Sequence, residues 1–180
     1  VSVGERRREY TSVEICAGAG GQALGLHNAG FRHHTLIEID KHACQTLRHN
    51  AERLGWDGCR VLEEDLTAFP DKDFDLPEGI DLLAGGVPCP PFSVAGKQLG
   101  QADERDLFPV MLKMVDELDP RAVMIENVRG LLEPPHKFHG YREEILKELQ
   151  GMGYTIRGWD IYEARDFGVP QLRPRAILVA

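Results

Sequence analysis

Short apolar runs alternate with helical segments along the whole chain, and this alternation is the feature that most limits the possible folds. Strands are predicted at 11–16, 35–39, near 59–62, 80–84 and 122–125, with extended pieces at 154–161 and 175–180. Helices are predicted at 22–29, 41–54, 106–118 and 141–150. Strands that alternate with helices indicate an α/β fold with a doubly wound, mostly parallel sheet. We therefore expect ligands to bind beyond the carboxyl ends of the strands.

The composition excludes several classes of protein. No apolar run has the length of a membrane span, so no membrane partner is expected. The four cysteines (Cys16, Cys44, Cys59 and Cys89) form no Cys-x-x-Cys pair, which argues against a metal site and against a disulfide framework. We therefore expect a reducing, cytoplasmic location. A net charge of −8 argues against a nucleic-acid coat protein, although a local basic face is compatible with it.

The domain organisation is expected to be simple. A chain of 180 residues suffices for one domain. The sequence stops inside the apolar run 176–180, whereas domain boundaries normally fall in polar, flexible linkers. We expect residues 1–180 to form one domain that is truncated at its C-terminal end and belongs to a longer protein.

A glycine-rich turn follows the first predicted strand and opens the first helix. Such a turn lets the backbone approach a ligand and directs helix N–H groups towards it. Glu38 ends the second strand about 20 residues later, where an acid binds ribose hydroxyls. Asp65 follows the third strand and is placed to accept a hydrogen bond from an adenine amino group. These features predict a nucleoside-containing cofactor and leave NAD and S-adenosylmethionine both open.

Cys89 lies on a proline-rich loop after the fourth predicted strand. Prolines at 88, 90 and 91 restrict the backbone, and Pro90 disfavours a helical conformation at Cys89. A thiol on a stiff loop at the end of a strand is a candidate nucleophile. By itself, the same stretch is equally compatible with a buried cysteine beside a turn.

The ordered motifs resemble those of the DNA (cytosine-5)-methyltransferases. The resemblance covers nearly all of the chain from Val13 onward and rests on an ordered series of short motifs. In order, these are Ala17-Gly18-Ala19-Gly20-Gly21, the Glu38 region, Asp65, Pro88-Cys89, Arg105 to Phe108, Glu126-Asn127-Val128, and Gln171-Leu172-Arg173-Pro174-Arg175. The resemblance implies a Rossmann-like methyltransferase fold, S-adenosylmethionine as cofactor, and methylation of cytosine carbon 5 in double-stranded DNA.

The resemblance also implies roles for individual residues. The catalytic set is Cys89, Glu126, Arg173 and Arg175, in which Cys89 adds to carbon 6 and Glu126 hydrogen-bonds ring nitrogen 3 of a flipped-out base. The cofactor set is Cys16, Ala17, Gly18, Ala19, Gly20, Gly21, Glu38, Ile39, Asp65, Leu66 and Pro88. The DNA-binding set is Ser93, Lys97, Gln98, Arg105 and Gln171.

Two positions depart from the family pattern. Cys16 stands where the family usually has a phenylalanine that stacks on the adenine, so that contact is weaker or comes from elsewhere. Pro90 stands where glutamine commonly follows the nucleophile.

Other interpretations remain open from the sequence. The chain could methylate cytosine in transfer RNA, or it could be an inactive cofactor-binding fragment or a subunit that needs a partner chain. An NAD-dependent oxidoreductase is a more distant alternative. The family's target-recognition region and its last two motifs would lie beyond residue 180, so we expect this chain alone not to methylate a specific DNA sequence. His33 and His34 are predicted to lie in an exposed turn.

Overall fold

The computed structural model describes residues 9–69, 71–88 and 106–180. Its strands are β1 (Tyr10–Ile15), β2 (Phe31–Glu38), β3 (Arg60–Glu63), β4 (Leu82–Gly85), β5 (Val123–Val128), β6 (Gly158–Glu163) and β7 (Pro174–Val179). Its helices are α1 (Gly21–Asn28), α2 (Lys41–Leu54), α3 (Phe108–Leu118) and α4 (His139–Gly151). Strands and helices alternate as the sequence predicts, and α2 has the predicted bounds.

The seven strands form one sheet in the order β3-β2-β1-β4-β5-β7-β6. The pairs among β1 to β5 are parallel, whereas β7 runs antiparallel to both β5 and β6. The strand order reverses direction between β1 and β4, which is the place where an open α/β sheet leaves a crevice for a ligand.

The helices cover both faces of the sheet. Residues such as Ile37 and Leu83 pack on one face with Met111 of α3 and Leu149 of α4. The neighbouring strand residues point to the opposite face, where Leu36 packs with Leu47 of α2 and Trp56. A smaller cluster on that side joins Leu26 of α1 to Leu82 and Ala84. The prediction of a doubly wound, mostly parallel α/β sheet is confirmed.

Strand β5 extends three residues beyond the predicted 122–125, and its pairing explains the difference. Its parallel partner β4 reaches only Ile125, which pairs with Gly85. Glu126, Asn127 and Val128 pair instead with the antiparallel strand β7. No local pattern indicates this pairing, because Ile177 and the other β7 partners lie about 50 residues further along the chain. The pairing holds Glu126 in a regular strand.

The prediction of an exposed turn at His33 and His34 is wrong. Both residues lie in β2, and His33 is 1% exposed. Its Nδ1 lies 3.0 Å from the Ser12 hydroxyl, and its ring contacts Trp56 edge-on. His33 therefore contacts Ser12 and Trp56, which are distant in sequence, although the local sequence had suggested that its side chain was exposed to solvent.

No helix in the described ranges is both long and apolar enough to cross a membrane.

Candidate active site

A cavity of about 260 Å³ lies beyond the carboxyl ends of β1 to β4. We call it the strand-end cavity, and it is lined by Cys16, Glu38, Ile39, Glu64, Asp65, Leu66, Gly86, Pro88 and Leu107. Its wall therefore brings together six residues of the predicted cofactor set, from four segments far apart in the sequence. Because the strands are parallel, their ends meet on one edge of the sheet.

Glu38 links the second strand to the glycine-rich turn. Its Oε2 accepts a hydrogen bond from the Gly18 N–H at 2.7 Å. Its Oε1 accepts from the N–H groups of Ile39 and Asp40, each at 2.9 Å. A carboxylate offers about four acceptor positions, so three internal bonds leave capacity for one further donor. A ribose hydroxyl in the cavity is a suitable donor.

Asp65 begins a short 3-10 helix, Leu66–Ala68. Its Oδ1 accepts from both the backbone N–H and the hydroxyl of Thr67, at 2.9 and 2.8 Å. Both contacts involve the same oxygen, so neither of them uses Oδ2. The side chain is thereby held in one orientation at the cavity wall, as an acceptor of fixed position requires.

The glycine-rich turn connects to the cavity wall through the hydrogen bond from Gly18 to Glu38. Gly20 has φ 90° and is the residue that precedes α1. A Cβ on Gly20 would lie 2.9 Å from Leu47 Cδ2, so both the conformation and the packing against α2 require glycine. The predicted cofactor residues 17–21 connect Cys16 to α1, which begins at Gly21. They do not line the strand-end cavity.

The described cysteines are poor nucleophiles. Burial, with smaller contributions from the charges of Glu38 and Glu14, raises the pKa of Cys16 to about 12. Burial also raises the pKa of Cys59 to about 11, and it raises the pKa of Cys44. Since the thiolate is the nucleophile, these three thiols stay protonated and unreactive near neutral pH. Cys16 also adopts φ 51°, an unusual conformation for a residue with a side chain.

A second cavity, of about 510 Å³, lies beside the ends of β5, β6 and β7. We call it the arginine cavity, and it is lined by Glu126, Tyr162, Ala164, Phe167, Arg173, Arg175 and Ile177. Arg173 and Arg175 therefore face the same space. Three of the four residues predicted to be catalytic lie in this wall.

Glu126 forms an ion pair within the arginine cavity. Arg175 Nε donates to Glu126 Oε1 at 2.8 Å, and both side chains are partly buried. On the other side, a Cβ on Gly86 would lie 3.3 Å from Glu126 Oε2. Gly86 also lines the strand-end cavity. Gly86 in the wall of the strand-end cavity therefore lies next to Glu126 in the wall of the arginine cavity, and its missing side chain lets the carboxyl group approach the backbone.

Asn127 fixes the segment that ends at Val87 and Pro88. Its side-chain amide donates to the Val87 carbonyl at 3.0 Å, and its Oδ1 accepts from the Val128 N–H at 2.8 Å. Asn127 is 3% exposed, so these bonds are shielded from water. Pro88, the next residue after Val87, is thereby held at the wall of the strand-end cavity.

Several predicted residues lie outside the described ranges. These are the candidate nucleophile Cys89 and the candidate DNA-binding residues Ser93, Lys97, Gln98 and Arg105. Gln171, the remaining residue of the DNA-binding set, is exposed in the connection between β6 and β7. Their roles stay predictions.

The sequence reasoning missed several lining residues. In the strand-end cavity these are Glu64, Gly86 and Leu107, and in the arginine cavity they are Tyr162, Ala164, Phe167 and Ile177. Leu107 lies within the motif Arg105 to Phe108, Glu64 precedes Asp65, and Gly86 is two residues before Pro88, so position in or near these motifs was an available signal. Ile177 had no local signal, because only its pairing opposite Glu126 brings it to the site.

Comparisons with known proteins agree with this geometry. The family model described as C-5 cytosine-specific DNA methylase matches residues 10–180. The chain is 56% identical to the type II methyltransferase M.NgoMIV of Neisseria gonorrhoeae, covering 96% of this chain and 52% of that protein. It is 53% identical to M.NaeI of Lentzea aerocolonigenes, covering 93% of this chain and 39% of that protein. The chain therefore spans about half, or less, of the length of these two relatives.

Solved structures show the same fold. A DNA modification methyltransferase encoded within an E. coli prophage matches with a TM-score of 0.73 and 28% identity, over 94% of this chain and 46% of that one. A DNMT2 variant from Spodoptera frugiperda matches with a TM-score of 0.66 and 20% identity, over 94% of this chain and 49% of that one. At 20% identity, the second likeness concerns the fold alone.

Proposed function

Because the chain belongs to the C-5 cytosine-specific DNA methylase family, we propose that it carries the cofactor-binding and catalytic parts of a DNA (cytosine-5)-methyltransferase. The enzyme would transfer a methyl group from S-adenosylmethionine to carbon 5 of cytosine in double-stranded DNA. The single observation that carries this proposal is the close approach of Gly86, in the wall of the strand-end cavity, to Glu126, in the wall of the arginine cavity. A methyl donor in the first cavity and an acceptor base in the second would meet there.

The strand-end cavity fits the cofactor by its chemistry. Glu38 has capacity for one further donor, which a ribose hydroxyl would supply, and Asp65 Oδ2 would accept from an adenine amino group. Ile39, Leu66, Pro88 and Leu107 give the wall an apolar part suited to a flat ring. These side chains also compensate for the phenylalanine that Cys16 replaces. When bound, S-adenosylmethionine supplies an electrophilic methyl group.

The chain's own groups activate the base. Carbon 5 of cytosine is made nucleophilic when the Cys89 thiolate bonds to carbon 6 and ring nitrogen 3 receives a hydrogen bond or proton. Glu126 is the group proposed to donate to nitrogen 3, from its carboxyl group in the protonated form: Arg175 holds Oε1, so Oε2, on the side of Gly86, would carry the proton and regain it when the ring is restored. After methyl transfer, loss of the carbon 5 proton to a base expels the thiolate and restores the ring. The raised pKa values of Cys16, Cys44 and Cys59 support Cys89 as the nucleophile.

DNA sequence recognition is proposed to come from outside these 180 residues. The chain spans 52% and 39% of the two relatives above, which leaves room for a recognition region on the same polypeptide or on a partner chain. Arg173, Gln171 and the residues of the proline-rich loop would contribute contacts that position the DNA without reading its sequence. A cytoplasmic location follows from the proposed substrate and stays a prediction.

Cofactor binding is tested by calorimetry with S-adenosylhomocysteine. Asp65→Asn keeps the size of the side chain but replaces an acceptor with a donor that repels an adenine amino group. We expect its dissociation constant to rise roughly 5- to 150-fold, the scale for losing a hydrogen bond with a charged partner. Glu64→Gln is the matched control, because Glu64 lines the same cavity but is paired with Lys72. Equal affinity in Asp65→Asn and the parent would contradict the assignment.

The methyl-transfer mechanism is tested by covalent trapping with the protein in its natural full length. Duplex DNA carrying 5-fluorocytosine should trap an adduct, because fluorine cannot leave as a proton does. Cys89→Ser should abolish trapping, whereas Cys44→Ser and Cys59→Ser should retain it. RNA carrying 5-fluorocytidine serves as the second substrate, and preferential trapping of RNA would reassign the substrate. An adduct located by mass spectrometry on any residue other than Cys89 would refute the mechanism.

A further inference from the structure

Two aromatic rings lie at the outer part of the arginine cavity, where the proposed chemistry gives them no role. Phe167 is 70% exposed and Tyr162 is 43% exposed. Their ring centroids are 6.1 Å apart, with an angle of 51° between the rings. In contrast, Phe69, Phe74 and Phe108 are all buried in the core of the same molecule. Exposed aromatic rings that line a cavity are typical of a binding surface.

The backbone fixes both rings beside the ion pair. Tyr162 lies in β6 directly opposite Arg175 in β7. Phe167 ends the short 3-10 helix Ala164–Phe167, and Gly168 at φ 85° turns the chain back towards β7. The Gly168 N–H donates to the Arg165 carbonyl at 3.1 Å and closes this turn. The rings are therefore presented by regular strands and a closed turn.

The charge around the rings indicates what they bind. Arg173 and Arg175 line the same cavity, so apolar rings and guanidinium groups face one space. A purely apolar protein segment would leave Arg173, which has no acidic side-chain partner among the described residues, without a counter-ion, whereas Arg175 already pairs with Glu126. A nucleotide provides a partner for the rings and for the guanidinium group, because its base stacks on aromatic rings and its phosphate pairs with arginine.

We propose that Tyr162 and Phe167 form a stacking surface for a nucleobase of the DNA substrate, beside the Glu126–Arg175 pair. This inference rests on the proposed function and adds a substrate contact to it. The base is either the flipped-out cytosine or its neighbour on the same strand. In either case, a flat base stacks on Phe167 and the phosphate of the same nucleotide lies towards the arginines.

The experiment places a fluorescent reporter in the surface with Phe167→Trp. The probes are deoxycytidine monophosphate, deoxyadenosine monophosphate and deoxyribose 5-phosphate, which has no base. The parent protein gives the background from Trp56 and Trp159, and Leu172→Trp is the matched control. Leu172 is 73% exposed and near Phe167 in sequence, but it does not line the cavity. The natural full-length protein is used throughout.

We expect both nucleotides to quench the Phe167→Trp emission and deoxyribose 5-phosphate to leave it unchanged. Stronger quenching by the cytidine nucleotide would assign the surface to the target base, and equal quenching would assign it to the neighbour. Phe167→Ala should weaken binding of an oligonucleotide roughly 5- to 150-fold, the range for losing one stacked base.

Three results would overturn the inference. The first is that neither nucleotide quenches the emission of Phe167→Trp. The second is that the nucleotides quench the emission of Leu172→Trp to the same extent. The third is that a protein segment covers the cavity and shields the Phe167→Trp emission from the nucleotides. Cofactor binding and Cys89 trapping are measured separately in the parent and in Phe167→Trp. Absent quenching in Phe167→Trp with intact trapping therefore refutes only the stacking surface, whereas absent trapping in the parent refutes the proposed function.

Discussion

Glu14 is a carboxylic acid buried in the middle of the sheet, and it makes a quantitative prediction about pH. It lies in β1 between Leu36 of β2 and Ala84 of β4, and it is 1% exposed. Its Oε2 has no hydrogen-bond partner among the described residues. Burial disfavours the charged form and raises the pKa of Glu14 from 4.5 to about 8.

The raised pKa couples proton binding to folding. Below pH 4.5 the carboxyl is protonated in both the folded and the unfolded protein, so it adds no pH dependence. Between 4.5 and about 8 the folded state keeps a proton that the unfolded state has lost, so the free energy of unfolding falls as pH rises. At about 1.4 kcal/mol per pH unit the loss amounts to roughly 5 kcal/mol by pH 8.

The substitution Glu14→Gln tests this reasoning because an amide has the shape of the protonated acid and does not ionise. Urea unfolding at pH 5, 6, 7 and 8 should show little difference from the parent at pH 5 and a growing stabilisation towards pH 8. Glu52→Gln is the control, since Glu52 is exposed on α2 and its curve should run parallel to the parent. A stability difference between Glu14→Gln and the parent that stays constant over this pH range would refute the argument.

Two further predictions concern close contacts at the site. Gly85→Ala should destabilise the fold by about 1–3 kcal/mol or more in urea unfolding, because the added Cβ would lie 2.5 Å from Ile15 Cγ1. Gly140→Ala is the control. A Cβ at Gly140 would have no atom within 4 Å, so this variant should be neutral or stabilising. If the two variants are equally stable, the close approach of β4 to Ile15 is wrong. Asn127→Ala should cost about 2–4 kcal/mol, because it leaves the Val87 carbonyl and the Val128 N–H without their partner. Asn50→Ala is the control, because it removes only a 3.5 Å contact to the Ala19 carbonyl and should reduce the free energy of unfolding far less. Equal reductions in the two variants would show that the hydrogen bond to Val87 is not important for stability.

The sequence by itself determined the fold class, the family and most of the residues that line the strand-end cavity. Alternating apolar runs and helices are local patterns, so they predicted the doubly wound sheet without knowledge of distant contacts. Glu38 and Asp65 were found because parallel strands deliver their last residues to a common edge. Each of these inferences needs only the order of the strands and helices along the chain and the identity of the residue at the end of each strand.

The tertiary structure decided what depends on contacts between distant segments. The antiparallel pairing of β7 with β5 brought Arg175 onto Glu126 and Ile177 beside it, across about 50 residues of sequence. The packing of the sheet against α1 and α2 buried Glu14 and His33, which local sequence could not distinguish from solvated polar residues. It also left Tyr162 and Phe167 exposed, although hydrophobic residues of this size are usually buried. The physical reason is that burial and charge pairing depend on which segments meet in space, and residues close in sequence carry little information about that.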